Sequence, residues 1–424
     1  MRTVGIVVEY NPLHNGHHYH FAKAKQAAGA DACVAVMSGD YLQRGEPALV
    51  SKWARAEMAL RIGIDLVIEL PVPYATANAE MFAFGAVSLL DRLGVVDAIC
   101  FGSESGDIEW MRGLAKTLAV EPPAFSQLLK QGLAQGLSYP QAYARAVARY
   151  LRELGHADVP IDQPNNILGL NYLLALERLG SPMQALTIKR EKAGYHQAAI
   201  TDQQIASATA LRALLFSQSA ALDELAPYVP PTTLSILRRE FAAKAGPMSW
   251  ERFRHPLFHR LLQLSPAELA AYHEAAEGIE YRLKQAVTSS SSVQELLRQA
   301  KTRRFTWNRL QRILLAILLD LKKPQVAQLR LKEGAPYARI LGFNEKGQRL
   351  LNQAKRKGRL PLISNVRDGL HPMLDLDIAA SRLYRLAILC AEGTPTYADE
   401  YRAQPLMITS APALAGNGAH PPLV

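Results

Sequence analysis

The chain has 424 residues and a formal net charge of +10; 49% of its residues are hydrophobic and 20% charged. That balance accommodates two or three domains and excludes collagen-like, low-complexity and wholly disordered classes. Three cysteines, Cys33, Cys100 and Cys390, share no CxxC spacing, and no run of about 18 apolar residues occurs, so disulfide frameworks, thiolate zinc sites, signal peptides and membrane spans are not expected.

The first hundred residues alternate short β-rich runs with longer helical patterns. Strands are predicted over 4–8, 32–37, 66–70 and 98–101, each rich in Val, Ile, Leu or Cys and too short for a buried helix. Apolar residues at three-to-four spacing predict helices over 17–28, 52–62 and 77–93, with Gly29, Gly63 and Gly94 where C-cap glycines belong. Such alternation predicts an α/β fold with a parallel sheet and crossover helices. After Gly106 the pattern is mostly helical up to a further strand at 185–190. From about Ala220 nearly every segment has helical periodicity, with breaks at Pro230-Pro231, Gly246-Pro247, 289–292 and Lys323-Pro324. The expected organisation is a Rossmann-like domain over 1–218, a mainly α-helical domain over 219–404, and a flexible tail over 405–424 that is rich in Pro and Gly and, from Ala411 on, uncharged.

The most informative local string is Tyr10-Asn11-Pro12-Leu13-His14-Asn15-Gly16-His17, between the first strand and the first helix. Loops at the carboxyl end of parallel strands are where doubly wound folds bind ligands. A helix beginning there offers unpaired N–H groups and a positive dipole end to an anion, and Gly16 lets the backbone approach it closely. The imidazoles of His14 and His17 can donate to phosphate oxygens as their charge grows in substitution at phosphorus. A second string, Ser207-Ala208-Thr209-Ala210-Leu211-Arg212, starts with a fair N-cap, so Ser207, Thr209, Arg212 and the helix terminus are candidates to hold outer phosphates. His14, His17, His18 and His20 fall within seven residues, but a tight loop cannot aim four rings at one ion, so no metal site is expected. For His18 and His20, phosphate contact and plain packing on the helix surface both stay open.

The HxGH string after the opening strand, joined by the distal SxTxxR string, resembles the signature of the nucleotidyltransferase superfamily. Further strings, 5–17, 36–47 (Val-Met-Ser-Gly-Asp-Tyr-Leu-Gln-Arg-Gly-Glu-Pro), 101–104, 164–169 and Ile188-Lys189-Arg190-Glu191, resemble the bacterial tRNA(Met) cytidine acetate ligases over nearly the whole chain. Leu13 and Tyr10 stand where that family frequently has Phe. The resemblance implies a nucleotidyltransferase fold, activation of acetate with ATP to acetyl-adenylate, and transfer of the acetyl group to N4 of the wobble cytidine of elongator tRNA(Met). It implies that ATP is bound by Val7, Val8, Glu9, Tyr10, Asn11, Pro12, Leu13, His14, Asn15, Gly16, His17, His18, Tyr19 and His20, with Gly102, Asn166 and Arg190 completing the site. Catalytic roles are expected for His14, His17 and Asp40, the last to orient the cytidine amine or take its proton. Arg44 is a candidate to pair with acetate or pyrophosphate; a loop salt bridge between Asp40 and Arg44 is the plainer alternative. Mg²⁺ is expected to arrive with ATP, bound by hard oxygen ligands. A cytoplasmic enzyme follows, with no obligatory protein partner.

Charge is unevenly distributed. Residues 281–359 carry 19 Lys or Arg against four acids, whereas the remainder carries 29 against 34. Such asymmetry marks a polyanion-binding surface, and the candidates for RNA contact are Arg303, Arg304, Trp307 and Arg309, with Lys355, Arg356 and Lys357 as a second run. Phe305 or Trp307 would stack on an unpaired base, unless Trp307 belongs to the core. An adenylyltransferase for a small phosphorylated acceptor has no use for so wide a basic surface, and a non-catalytic RNA-binding protein has none for two phosphate motifs.

Overall fold

Strand β1 (Thr3–Val8) is almost continuously apolar because it is central. In the computed structural model, which describes residues 1–153, 163–190, 206–217, 222–389 and 399–409, it pairs in parallel with β2 (Ala32–Ser38) on one side and β4 (Ala98–Ser103) on the other. Outward from these lie β3 (Leu66–Leu70), parallel to β2, and β5 (Gln184–Lys189), parallel to β4. The five predicted strands are thus present, in the order β5-β4-β1-β2-β3.

Period-two alternation divides the core. Val34 and Val36 of β2 join a cluster with the helices Ala79–Arg92 and Pro164–Leu179 on one face. Cys33, Ala35 and Met37 join helices α1 (Asn15–Ala28) and α2 (Lys52–Arg61) on the other. Among the described residues no helix is long and apolar enough to cross a membrane.

The C-terminal half departs from its helical pattern. β6 (Ala338–Phe343) pairs antiparallel with β3, and β7 (Leu362–Ile363) and β8 (Leu406–Met407) pair with β6, so one sheet of eight strands spans the chain. Leu406 and Met407, expected in a flexible tail, are strand residues; 410–424 lie outside the described residues. These strands escape periodicity because β7 and β8 have only two residues each and β6 leans on β3, far upstream. The helical residues 222–333 therefore sit in the chain between β5 and β6. Their own core, which includes Leu296, Leu310 and Ile313, merges with Tyr41 of the loop after β2 and with Tyr384 of the helix Pro372–Leu389. The boundary expected at Gln218 lies outside the described residues, as do Cys390 and Glu191.

Candidate active site

β1 delivers its chain to the carboxyl edge of the sheet, where Tyr10, with φ of 52°, bends the backbone sharply into α1. His14 is the N-cap of that helix. Its Nδ1 accepts from the Gly16 amide at 3.1 Å, while its own amide donates to Nδ1 of His17 at 3.3 Å. The two rings stack with centroids 3.7 Å apart. Because both Nδ1 atoms accept, each neutral ring carries its proton on Nε2. Burial, reinforced by Arg190 and Arg212, pushes His14 down to about 3, and burial with the neighbouring His14 holds His17 well below its ordinary value. At neutral pH the pair is two uncharged Nε2–H donors.

The remaining amides of the helix start are already engaged. Asn15 N donates to Tyr228 O at 2.8 Å, and His17 N to His14 O at 2.9 Å. The expectation of bare N–H groups for an anion is therefore corrected for α1: imidazole protons and the helix dipole remain. A second helix terminus supplies more. Ser207 caps the helix Ala208–Leu215 by accepting from Ala210 N at 3.0 Å. From the next turn Arg212 reaches back to Asn11 O at 2.9 Å and to Glu46 at 3.1 Å.

These pieces enclose a cleft of about 620 Å³, open to solvent, lined by Glu9, Tyr10, Asn11, His14, His17, Arg44, Glu46, Arg190, Ser207, Ala208, Thr209 and Arg212. Two strings some 190 residues apart in sequence thus meet across one cleft. Three arginines, two carboxylates, two imidazoles and a capped helix start face it, an arrangement suited to binding a polyphosphate and stabilising charge developing on it.

Other predicted residues stand around the cleft rather than in its lining. Val8, Pro12 and Leu13 are buried supports, and Val7 is half-buried on β1. His18 is exposed and stacks on Phe21, and Tyr19 lies under Lys23. His20 is pushed down to about 4 by burial and by Arg190. Gly102 makes room for Arg190, since a Cβ there would stand 3.3 Å from its Cγ, with His20 at 3.9 Å. Asn166 is fully buried; its Oδ1 accepts from the amides of Glu104 and Ser105 at 3.0 and 3.2 Å, so it clamps the loop after β4 to the start of the helix Pro164–Leu179.

Asp40, expected as catalytic, is part of the interior instead. Its Oδ1 accepts from Lys52 N at 2.8 Å and its Oδ2 from Ser381 Oγ at 2.7 Å, and only 1% of its surface is exposed. The same loop, 39–50, carries cleft residues outside the ATP-site set, Arg44 and Glu46; their signal was charge at the carboxyl edge after β2. Behind it lies a buried ionic network that sequence reasoning missed. Lys52 Nζ stands 2.9 Å from Glu69 and 3.0 Å from Glu400, whose other oxygen accepts from Trp53 Nε1. It unites α2, β3 and the segment before β8, and nothing local in the sequence announces it.

The basic block divides. Arg303 is exposed and Arg304 pairs with Glu277 at 3.2 Å. Phe305 is 3% exposed beneath the Arg309 guanidinium, 4.3 Å away, so it is not free to stack on a base, and Trp307 is half-buried against the helical core. Lys355, Arg356 and Lys357 are exposed in the last turn of the helix Glu345–Lys357, where cations offset the helix dipole. Lys357 O lies beside Gly94, just before β4, so this run sits toward the end of the sheet opposite the cleft. Among the described residues no group of three or more His, Cys, Asp or Glu is disposed to hold a metal.

Comparison with known proteins bears on this geometry. Residues 1–395 match the HIGH nucleotidyl transferase family model. The chain is 42% identical over 393 residues to the tRNA(Met) cytidine acetate ligase of Acetivibrio thermocellus, covering 91% of this chain and 94% of that one. To the protein of the same name from a Geobacillus strain it is 40% identical, covering 96% and 100%. The crystal structure of Thermotoga maritima TmcAL bound with alpha-thio ATP superposes with a TM-score of 0.88 at 33% identity, over 97% of this chain and 100% of that one.

Proposed function

Since the chain belongs to the HIGH nucleotidyl transferase family and, within it, to the tRNA(Met) cytidine acetate ligases, an assignment that makes it an ATP-dependent ligase, we propose that it activates acetate as acetyl-adenylate. It then acetylates N4 of the wobble cytidine of elongator tRNA(Met), in the cytoplasm where that tRNA resides. The observation that carries this reading is the meeting of His14 and His17 with Ser207, Thr209 and Arg212 around one cleft.

In the first half-reaction a carboxylate oxygen of acetate attacks the α-phosphorus of ATP, and the bond to the β-phosphate oxygen breaks. Negative charge grows on the departing pyrophosphate. The Nε2–H groups of His14 and His17 are proposed to meet that charge, with Arg190, Arg212 and the start of the helix Ala208–Leu215 on the outer phosphates. Arg44 is proposed to hold the acetate carboxylate. Arg212 is paired with Glu46, and phosphate would take over its guanidinium as the stronger bidentate acceptor. Mg²⁺ arriving with ATP would find an oxygen ligand in Glu46 and would neutralise pyrophosphate charge.

The second half-reaction needs the activated acyl group because N4 of cytidine is conjugated with its ring and is a poor nucleophile. Positioning carries the remainder. The exposed basic residues around Arg303 are proposed to hold the tRNA, through a helix (Trp307–Leu318) that also backs the cleft: Gln311 Nε2 donates to Arg44 O at 3.0 Å. Incubation with ATP and labelled acetate, with and without tRNA, tests this. RNA-linked acetyl supports the ligase; pyrophosphate release only with a small phosphorylated acceptor supports an adenylyltransferase; no turnover with either supports a binding protein.

A further inference from the structure

Acetyl transfer releases a proton. As N4 of cytidine bonds to the acetyl carbon it gives up a hydrogen, and an unassisted aromatic amine does so poorly, so a base within reach of the acceptor is called for. The inference below rests on the ligase reading. Asp40 is spent on Lys52 N and Ser381. Glu46 pairs with Arg212 at 3.1 Å and, where phosphate takes that arginine, is assigned above to Mg²⁺.

Glu9 remains. It follows the last residue of β1, lines the cleft beside His14, His17 and Arg44, and among the described residues is tied through one oxygen. Oε1 accepts from Gln43 N at 2.7 Å and lies 3.5 Å from Ser38 Oγ. Its backbone is clamped by the buried Arg55, whose Nη1 donates to Glu9 O at 2.7 Å and to Ser38 O at 3.0 Å. A carboxylate anchored by one oxygen and pinned through its main chain has a fixed direction without losing its second oxygen.

We propose that Glu9 is the general base of the acetyl-transfer step. The lone pair of N4 attacks the carbonyl carbon of acetyl-adenylate and the carbon–nitrogen bond forms. The bond from that carbon to the phosphate oxygen breaks, its electron pair leaving with AMP. The N4 proton passes to Glu9 and from there to solvent. Burial raises the Glu9 carboxyl above its ordinary value, and Glu46 adds to this, while the Gln43 amide, Arg44 and Arg55 oppose it. From α1 it is faced by His14 and His17, which are uncharged at neutral pH. A carboxylate of raised proton affinity is a stronger base than an exposed one.

The half-reactions separate the roles. Acetate-dependent exchange of pyrophosphate into ATP reports adenylate formation, and single-turnover acetylation of tRNA reports transfer. Glu9→Gln is expected to lower transfer by roughly 10²- to 10⁴-fold and exchange far less. Wild-type transfer should fall along a one-proton limb as pH drops, a limb missing from Glu9→Gln, with Glu9→Asp intermediate in rate and keeping it. Equal loss of both half-reactions in Glu9→Gln overturns the assignment, as does transfer at the wild-type rate. The wild-type profile serves even if the variant fails to fold: transfer without an acid limb also overturns it. Failure of wild-type protein to catalyse acetate-dependent exchange sinks the ligase reading itself, a separate result.

Discussion

The uncharged state of His14 and His17 follows from two constraints that act together: each Nδ1 already accepts a backbone amide proton, and burial beside arginines disfavours a second proton. A single side chain thereby decides both the shape of the helix start and the donor offered to the cleft. His17→Ala is expected to reduce acetate-dependent pyrophosphate exchange by about 10²-fold or more, while tRNA affinity in a filter-binding assay stays within a factor of about two. The same burial has a stability consequence. His14 and His20 have folded-state values of about 3 and about 4, below the ordinary 6.5. Between those limits the unfolded chain binds more protons than the folded one, so stability is complete above about pH 6.5 and is lost as pH falls. Each unit of pH below that costs roughly 1.4 kcal/mol per histidine. The thermal midpoint should therefore drop steeply from pH 6.5 to 4.5, and His20→Leu, which removes one titrating ring, should flatten that slope. An unchanged slope would show that these rings charge as readily folded as unfolded.

At the scale of elements, the loop 39–50 joins what the chain keeps apart. One side of it presents Arg44 and Glu46 to the cleft; the other rests on the helix Trp307–Leu318. Gly45 permits this closeness, with φ of 81° and a backbone amide, Arg312 N, only 2.5 Å from where a Cβ would stand. Neither the positive φ nor the backbone contact can be relieved by a rotamer change. Gly45→Ala is expected to destabilise the fold by about 1–3 kcal/mol in denaturant unfolding. It should lower exchange activity more than His18→Ala, a change at an exposed ring stacked on Phe21. Wild-type exchange in Gly45→Ala would mean that the loop yields without moving Arg44.

For the whole molecule, charge is sorted by position. Arg309 and Arg312 are fixed to Glu274 and to Phe305, so their removal would mix folding with binding. Lys301 and Arg303 are exposed and serve as cleaner probes. Lys301→Ala with Arg303→Ala should weaken tRNA binding and reduce the magnitude of the slope of log affinity against log salt by up to about 2, with acetate-dependent exchange in the absence of tRNA at the wild-type rate. The run Lys355, Arg356 and Lys357, toward the opposite end of the sheet, is expected to have the smaller effect on both; a larger effect there would relocate the RNA path.

Five parallel strands, the helices between them and the two strings that meet at the cleft were legible because each is a local pattern: period two or 3.6, a C-cap glycine, an N-cap serine, a histidine pair three residues apart. The placing of His14 and His17 at the carboxyl edge of β1 was legible for the same reason, since strand, turn and helix are consecutive there. The tertiary structure alone decided that β6, β7 and β8 extend the same sheet, that Asp40 is interior while Glu9, Arg44 and Glu46 face the cleft, and that Lys52, Glu69 and Glu400 form one buried cluster. Which way a charged side chain points depends on what has been packed behind it, and here the packing comes from segments up to about 350 residues away, which no local pattern encodes.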